Sequence, residues 1–265
     1  MTLRVRTRRR RTALVIVGAF AVVLGVSLGI TRPWQPPVET APVAAAEDGI
    51  AAPAPLALPE HPTVLVFGDS WTYGSAASVP TLGYAYVLAD LIDGETVVDG
   101  VPGSGYLKPG STGPAFGARI AALDPAIDPD AIIIQGSIND RREDAAALPA
   151  AVNAAWDALT QKFPEVPIVV LGPAPHELPV DASTARIDRE LAALAGSRGW
   201  WYVSPVKEQW ITPDNYLSVI DVGVGRKHPS TAGHRYLAER VAEALERLGA
   251  APVTAADGEQ LEPAK

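Results

Sequence analysis

The chain of 265 residues contains no cysteine. Without a thiol there can be no disulfide framework, no cysteine nucleophile and no cysteine for lipoprotein acylation. Its four histidines form no cluster with carboxylates at metal-ligand spacing, and no glycine-rich phosphate-binding loop is present. These absences predict a protein that works with neither a metal nor another cofactor.

Positive charge is scarce outside the first few residues. The formal net charge is −8, and the first eleven residues hold six arginines and no acid, so the rest of the chain sums to −14. Because nucleic acids are bound by basic surfaces, this acidic body argues against a nucleic-acid partner.

Residues 13–30 carry no charge. Their 18 residues lie within the range of about 17–25 that spans a bilayer. Because the arginines precede this segment, the positive-inside rule predicts a basic cytoplasmic segment (residues 1–12) and a body outside the membrane. Cleavage as a signal peptide is the alternative, but the nearest good site, Ala44-Ala45-Ala46, lies well downstream. We therefore favour an uncleaved signal anchor and a single-pass protein of the cell membrane, secreted only if the anchor is cleaved.

Two further segments lack the pattern of a packed core. Residues 31–60 are rich in proline and alanine, which predicts an extended linker. Residues 250–265 form a polar, alanine-rich tail that we expect to be disordered. Residues 61–249 remain as the folded domain.

Within this domain, short apolar runs alternate with helical patterns. The predicted strands are residues 63–67, 96–98, 131–135, 168–171 and 201–204. Most are rich in valine and isoleucine without polar alternation, as in strands buried on both faces. The predicted helices are residues 82–92, 116–123, 145–163, 182–197 and 231–248, the last with Ser230 as its N-cap. This order predicts an α/β fold with a parallel sheet of about five strands and helices on both faces.

The first apolar run ends in Gly-Asp-Ser, which would deliver a serine hydroxyl to the carboxyl edge of the sheet. Ligands of open α/β sheets bind at that edge. Two long connections, residues 100–115 and 205–229, would lie beside it, and connections of this length are often functional. Four segments together offer a nucleophile, oxyanion donors and a base: Gly68-Asp69-Ser70, Gly100-Val101-Pro102-Gly103, Ser137-Ile138-Asn139-Asp140 and His228-Pro229-Ser230.

In this order the four segments resemble those of the SGNH or GDSL hydrolase family of serine esterases. The resemblance implies a flavodoxin-like three-layer α/β/α sandwich in which Ser70 is the nucleophile and His228 is the base. It assigns the oxyanion hole to the backbone N–H groups of Ser70 and Gly103 and to the side-chain amide of Asn139. Ser137 stands where the family usually has glycine.

The family usually carries an aspartate three residues before the histidine, and here that position is Gly225. Three outcomes are open. Asp221 could loop back and bond the imidazole of His228, or a backbone carbonyl could replace the carboxylate and leave a Ser–His dyad. The third outcome is a feeble or inactive site.

These features predict an extracytoplasmic serine esterase, with an O-acetyl ester of a glycan as the favoured substrate. A lysophospholipid or another lipid ester is the first alternative, and acyl transfer at the same site is the second. From another class, a non-catalytic glycan-binding domain with this fold is the rival. The sequence predicts no oligomeric state.

Overall fold

The computed structural model describes residues 53–225 and 227–250. Five longer strands alternate with helices along the chain, and a small hairpin precedes the last helix. The elements are β1 (Thr63–Gly68), α1 (Ser70–Tyr73), α2 (Tyr84–Leu91), β2 (Glu95–Gly100), α3 (Phe116–Ala122), β3 (Ala131–Gln135), α4 (Leu148–Lys162), β4 (Ile168–Leu171), α5 (Ala182–Ser197), β5 (Trp201–Val203), α6 (Tyr216–Val219), β6 (Ile220–Asp221), β7 (His228–Pro229) and α7 (Thr231–Gly249).

The five longer strands form one parallel sheet in the order β2-β1-β3-β4-β5. This is the flavodoxin-like order, in which the chain moves first to one side of β1 and then to the other. The carboxyl ends of β1 and β3 therefore lie at the switch point, where such sheets bind their ligands. The predicted α/β class and the sheet of about five strands are confirmed.

Two hydrophobic cores lie on opposite faces of this sheet, because successive side chains of a strand point to opposite sides. In β1, Val64 and Val66 pack in the core that also contains residues of α2 and α7. Leu65 and Phe67 pack on the other side, with residues of α3, α4 and α5. The predicted three-layer α/β/α sandwich follows from this alternation.

The predicted long connection over residues 205–229 contains more structure than its sequence indicates. It includes the one-turn helix α6 and the strands β6 and β7, which pair antiparallel in a second, two-stranded sheet. Both strands have only two residues, too few for an alternating pattern to be read. This hairpin carries His228, with Asp221 as its cross-strand neighbour.

The packed body begins earlier than residue 61, where the sequence predicts the domain to start. Leu56 is buried in the core, and its N–H donates to the carbonyl of Leu248 at 2.8 Å. The sequence did not indicate this packing, because the proline-rich segment packs as an extended chain that has neither a strand nor a helix pattern. The end of the predicted linker thus belongs to the body.

No helix among residues 53–225 and 227–250 is long and apolar enough to cross a bilayer. The predicted cytoplasmic segment (1–12) and signal anchor (13–30) lie outside the described residues, as does the predicted tail beyond residue 250. The anchor therefore stays a prediction.

Candidate active site

Ser70 is the first residue of α1, and only Asp69 separates it from the end of β1. The carboxylate of Asp69 caps this short helix by accepting the N–H of Trp71 at 2.9 Å. The sharp passage from strand to helix holds the Ser70 hydroxyl at the carboxyl edge of the sheet, as its position after an apolar run predicts. Burial raises the pKa of the Asp69 carboxyl to about 7, opposed by the N–H of Trp71.

His228 meets Ser70 from β7, across a separation of 158 residues in the chain. Its Nε2 lies 2.9 Å from Ser70 Oγ, and its Nδ1 lies 2.8 Å from the carbonyl oxygen of Gly225. Because a carbonyl only accepts hydrogen bonds, Nδ1 carries the ring proton and Nε2 is left to accept the serine hydroxyl. This is the tautomer that a general base needs.

Asp221 does not bond the imidazole in this structure. The expectation that its carboxylate orients His228 is therefore corrected. Its Oδ1 accepts the N–H of Gly223 at 2.8 Å, while the carbonyl of Gly225 holds the position at His228 Nδ1. The absence of a side chain at Gly225 is a packing requirement. A Cβ there would lie 2.6 Å from the Cβ of Asp221 and 2.8 Å from that of Ala76.

Gly103 lies in the connection after β2, on the side of Ser70. Its φ of +79° is in the left-handed region that favours glycine, and a Cβ built there meets nothing closer than 3.9 Å. Within the described part of the chain, the backbone N–H groups of Ser70 and Gly103 make no hydrogen bond. Both are therefore available to a ligand at this edge.

Asn139 follows β3 and completes the group of residues that the sequence singled out. Its Nδ2 donates to the carbonyl of Ser104 at 2.9 Å and makes a longer contact of 3.3 Å with Oδ2 of Asp69. The first bond fixes the direction of the amide. The second is long enough for that N–H to be shared with an oxyanion in the cavity.

Asp140 has a role that its sequence position did not reveal. The buried carboxylate accepts the N–H groups of Tyr106, Leu107 and Lys108 at 2.7 to 3.1 Å. It also accepts the hydroxyl of Ser137 at 2.5 Å, so the serine that stands in place of glycine adds a fourth hydrogen bond. Asp140 thereby fixes the loop next to Gly103 to the end of β3.

Arg119 is the second residue that sequence reasoning missed. Its buried guanidinium donates to the carbonyl of Gly68, the hydroxyl of Ser104, and the carbonyl and Oδ1 of Asp99, at 2.6 to 2.8 Å. It therefore ties the ends of β1 and β2 to the loop that orients Asn139. The signal was available, since Arg119 is the only charged residue in the otherwise apolar helix α3.

A cavity of about 460 Å³ opens above Ser70 and His228. The loop that follows β2 forms much of its wall, and Asn139 and Ser75 contribute from the other elements. Glycine, proline, serine and asparagine account for its lining apart from His228 and the exposed Lys108, and no large aliphatic or aromatic side chain takes part. Trp71 is buried in the core and does not line this cavity.

His234, one turn into α7, is a fully buried histidine with a packing role. Its Nδ1 accepts the N–H of Tyr84 at 3.2 Å, so its Nε2 carries the proton and donates to the carbonyl of Ser75 at 3.0 Å. These two bonds join α7 to α2 and to the turn after Ser70. Burial lowers the pKa of His234 to about 4, because a charged imidazole would lose its hydration.

The His234→Gln variant is expected to isolate this titration. Between pH 6.5 and 4, His234 is protonated in the unfolded chain but neutral in the folded protein. The free energy of unfolding therefore falls as the pH falls. The difference in free energy of unfolding between the native protein and the variant should narrow across this window by on the order of 3 kcal/mol. Urea unfolding at several pH values measures it. The raised pKa of Asp69 acts in the opposite direction but is common to both proteins, and a constant difference would contradict the assignment.

Known proteins share both this sequence pattern and this fold. The GDSL-like lipase/acylhydrolase family matches residues 66–236. A GDSL lipase of Mycobacterium tuberculosis is 30% identical over 144 residues, which are 52% of this chain and 59% of that protein. The match thus spans about three-fifths of the length of that relative.

Two solved structures resemble the fold at low sequence identity. The aryl esterase of M. smegmatis has a TM-score of 0.52 at 20% identity, over 71% of this chain and 99% of that chain. A carbohydrate esterase family 2 enzyme with a carbohydrate-binding domain, from Corynascus thermopiles, has a TM-score of 0.57 at 18% identity, over 72% of this chain and 67% of that one. Since the family match covers most of the chain, and the four sequence segments meet at one edge of the expected sheet, the protein belongs to the GDSL-like lipase/acylhydrolase family.

Proposed function

We propose that this protein is a serine esterase in which Ser70 is the nucleophile and His228 is the general base. The observation that carries the proposal is the hydrogen bond of 2.9 Å between Ser70 Oγ and His228 Nε2, with Nδ1 held by a backbone carbonyl. A serine hydroxyl is a weak nucleophile until an adjacent base accepts its proton. The pair has the geometry and the tautomer for this step.

The reaction proceeds through two tetrahedral intermediates. As Ser70 Oγ attacks the ester carbonyl, its proton passes to His228 Nε2, and the imidazolium then protonates the departing alcohol. This leaves an acyl group on Ser70. Water gives its proton to Nε2 and attacks the acyl carbon, and collapse of the second intermediate returns the proton to Ser70 and releases the acid. The carbonyl of Gly225 holds the ring through Nδ1 in both halves.

The proposed oxyanion hole consists of the backbone N–H groups of Ser70 and Gly103 and the Nδ2 of Asn139. The first two make no hydrogen bond within the described residues, and the third is aimed by Ser104. Donors that are already in place stabilise the developing charge without reorganisation. The network of Asp140 and Arg119 supports this arrangement by fixing the surrounding loop.

Removal of the Asn139 amide is expected to slow turnover. Asn139→Ala should lower kcat by about 10²- to 10³-fold, the usual cost of one oxyanion donor, with a much smaller change in KM. Steady-state hydrolysis of 4-nitrophenyl acetate measures both constants. Asn153→Ala is the control for loss of an asparagine away from the site, since Asn153 lies in α4 and accepts a hydrogen bond from Arg198. A kcat of Asn139→Ala within twofold of the native value would show that Asn139 is not part of the oxyanion hole.

The lining of the cavity favours a short acyl group. Because no large aliphatic or aromatic side chain lines the cavity, the methylene groups of a long chain would gain little by leaving water. The polar side chains of the lining, such as Ser75, Ser111 and Lys108, suit a hydrated alcohol portion such as a sugar. We therefore propose an O-acetyl ester of a glycan as the substrate class.

A series of 4-nitrophenyl esters from acetyl to decanoyl tests this preference. The value of kcat/KM should fall along the series, by at least about tenfold from acetate to decanoate. Preference for decanoate would instead favour a lipid ester. Loss of acid release on addition of an acceptor alcohol would indicate acyl transfer, whereas a glycan-binding domain would hydrolyse none of the esters and would not react with an organophosphorus serine probe.

The proposed place of action is the outer face of the cell membrane. Six arginines precede 18 uncharged residues, which supports an anchor with its N-terminus in the cytoplasm and the enzyme body outside. Protease protection of the full chain in intact cells, with cleavage of the body only from the outside, tests this orientation.

A further inference from the structure

All of the exposed large hydrophobic side chains among the described residues lie in two segments of the chain. These segments span residues 73–82 and 217–224, and they are separated by about half of the chain. Their exposed members are Tyr73, Val79, Leu82, Leu217, Val222 and Val224. Single exposed apolar residues are normal on a protein surface, whereas a contiguous cluster of them marks an interaction site.

The two segments meet in space beside the N-terminus of α7. The N–H of Ser78 donates to Oγ1 of Thr231, and the hydroxyl of Ser230 donates to the carbonyl of Ser218. Gly225, next to Val224, packs against Ala76 so closely that a Cβ would collide with it. The exposed residues of the two segments thus form one area, the apolar rim.

This apolar rim borders the active site. Tyr73 belongs to the same short helix as Ser70, and Val222 and Val224 lie in the hairpin loop that leads into His228. The rim is also strongly exposed at its outermost points, with 97% of Val224 and 77% of Leu217 accessible to solvent. Because these side chains already face solvent, they could enter an apolar phase without any rearrangement of the core.

We propose that the apolar rim docks on a lipid bilayer and holds the mouth of the active site against the membrane surface. Five of the six side chains are leucine or valine, which are under-represented among the residues that dominate protein–protein binding. Amphipathic helices that lie on a membrane insert apolar side chains at the boundary of headgroups and acyl chains, and the apolar rim offers side chains of the same chemistry. The proposal goes beyond the esterase activity, since it concerns where the site faces.

The chain outside the described residues permits this contact. Residues 31–52 separate the apolar segment 13–30 from the first described residue. These 22 residues can span at most about 75 Å. A connection of this length lets the rim reach the surface in which the predicted anchor lies. Docking would then direct the enzyme to esters at the membrane face.

The lack of cysteine makes a site-specific test simple. In the full chain, Val224→Cys is labelled with an NBD fluorophore and reconstituted into vesicles of phosphatidylcholine and phosphatidylglycerol that carry doxyl-labelled lipid. Ala126→Cys is the matched control, because Ala126 is exposed and lies before β3, at the opposite edge of the sheet from Ser70. Both labelled proteins share the same N-terminal segment, so a difference between them reports the rim.

Doxyl quenching at position 224 should exceed that at position 126 several-fold. Adding Leu217→Asp and Val222→Asp should reduce it to the level of the control. Equal quenching at the two positions would overturn the proposal, and so would a blue shift at position 224 without doxyl quenching, which indicates a protein contact. Hydrolysis of soluble 4-nitrophenyl acetate by the same samples reports the esterase separately, so failure of docking and failure of catalysis are distinguished.

Discussion

Ser70→Ala is expected to lower kcat for 4-nitrophenyl acetate by about 10⁴- to 10⁶-fold, and His228→Ala should do the same. Each variant removes one member of a pair that acts as a unit, since Ser70 Oγ has His228 Nε2 as its hydrogen-bond partner. The double variant should therefore be no slower than either single variant. Residual turnover would come from the oxyanion donors and from binding alone.

A second serine in the same cavity provides the matched control. Ser75 lines the cavity, and its hydroxyl makes no hydrogen bond within the described residues, so Ser75→Ala should keep kcat within about threefold of the native value. Thermal unfolding of all variants separates loss of chemistry from loss of folding. Full activity in a folded Ser70→Ala protein would rule out the acyl-enzyme mechanism, and additive losses in the double variant would show that the two residues act independently.

Gly225→Ala is expected to cause the second-largest loss, by up to about 10⁴-fold in kcat, the cost of losing the group that orients a catalytic histidine. The new methyl group would lie 2.6 Å from the Cβ of Asp221 and 2.8 Å from the Cβ of Ala76. Neither atom is the flexible end of a side chain, so the backbone of residue 225 must shift. Its carbonyl would then leave Nδ1 of His228. Restoring the usual aspartate by Gly225→Asp should fail for the same reason.

Asp221→Asn is the control for the orienting group. The asparagine Oδ1 can still accept the N–H of Gly223, so the loop should persist. The kcat should stay within about twofold of the native value, and the shape of the pH–rate profile should not change. A large loss of kcat in this variant, or full activity in Gly225→Ala, would indicate that the carboxylate of Asp221 orients His228.

Much of the fold could be read from the sequence because buried parallel strands leave a strong local signal. The apolar run of β3 was predicted with its observed ends, Ala131–Gln135, and so was β4, Ile168–Leu171. Helix α5 was likewise predicted with its ends, Ala182–Ser197. Shorter elements were missed. The two residues each of β6 and β7 have no period, and they form only because the body of the domain brings their segments together.

The candidate site was predicted unevenly for a related reason. The four residues that the sequence singled out, Ser70, Gly103, Asn139 and His228, line one cavity. The position of Ser70 after an apolar run can be read locally, whereas the oxyanion roles of Gly103 and Asn139 came from the resemblance to the family and stay predictions. Arg119 was not found, because its role depends on four acceptor atoms that belong to three residues in different parts of the chain.

By itself the sequence determined the class of the fold, the carboxyl edge of the sheet as the place of the site, and the residue types that gather there. Buried apolar runs that alternate with helical patterns are properties of short segments, and they indicate a parallel α/β sheet without fixing the order of its strands. Only the tertiary structure decided what orients His228. The choice between the carboxylate of Asp221 and the carbonyl of Gly225 rests on the path of one hairpin and on contacts with Ala76, which no local pattern encodes. It also decided that the exposed apolar residues of two distant segments share one rim, because packing around α7 brings them together.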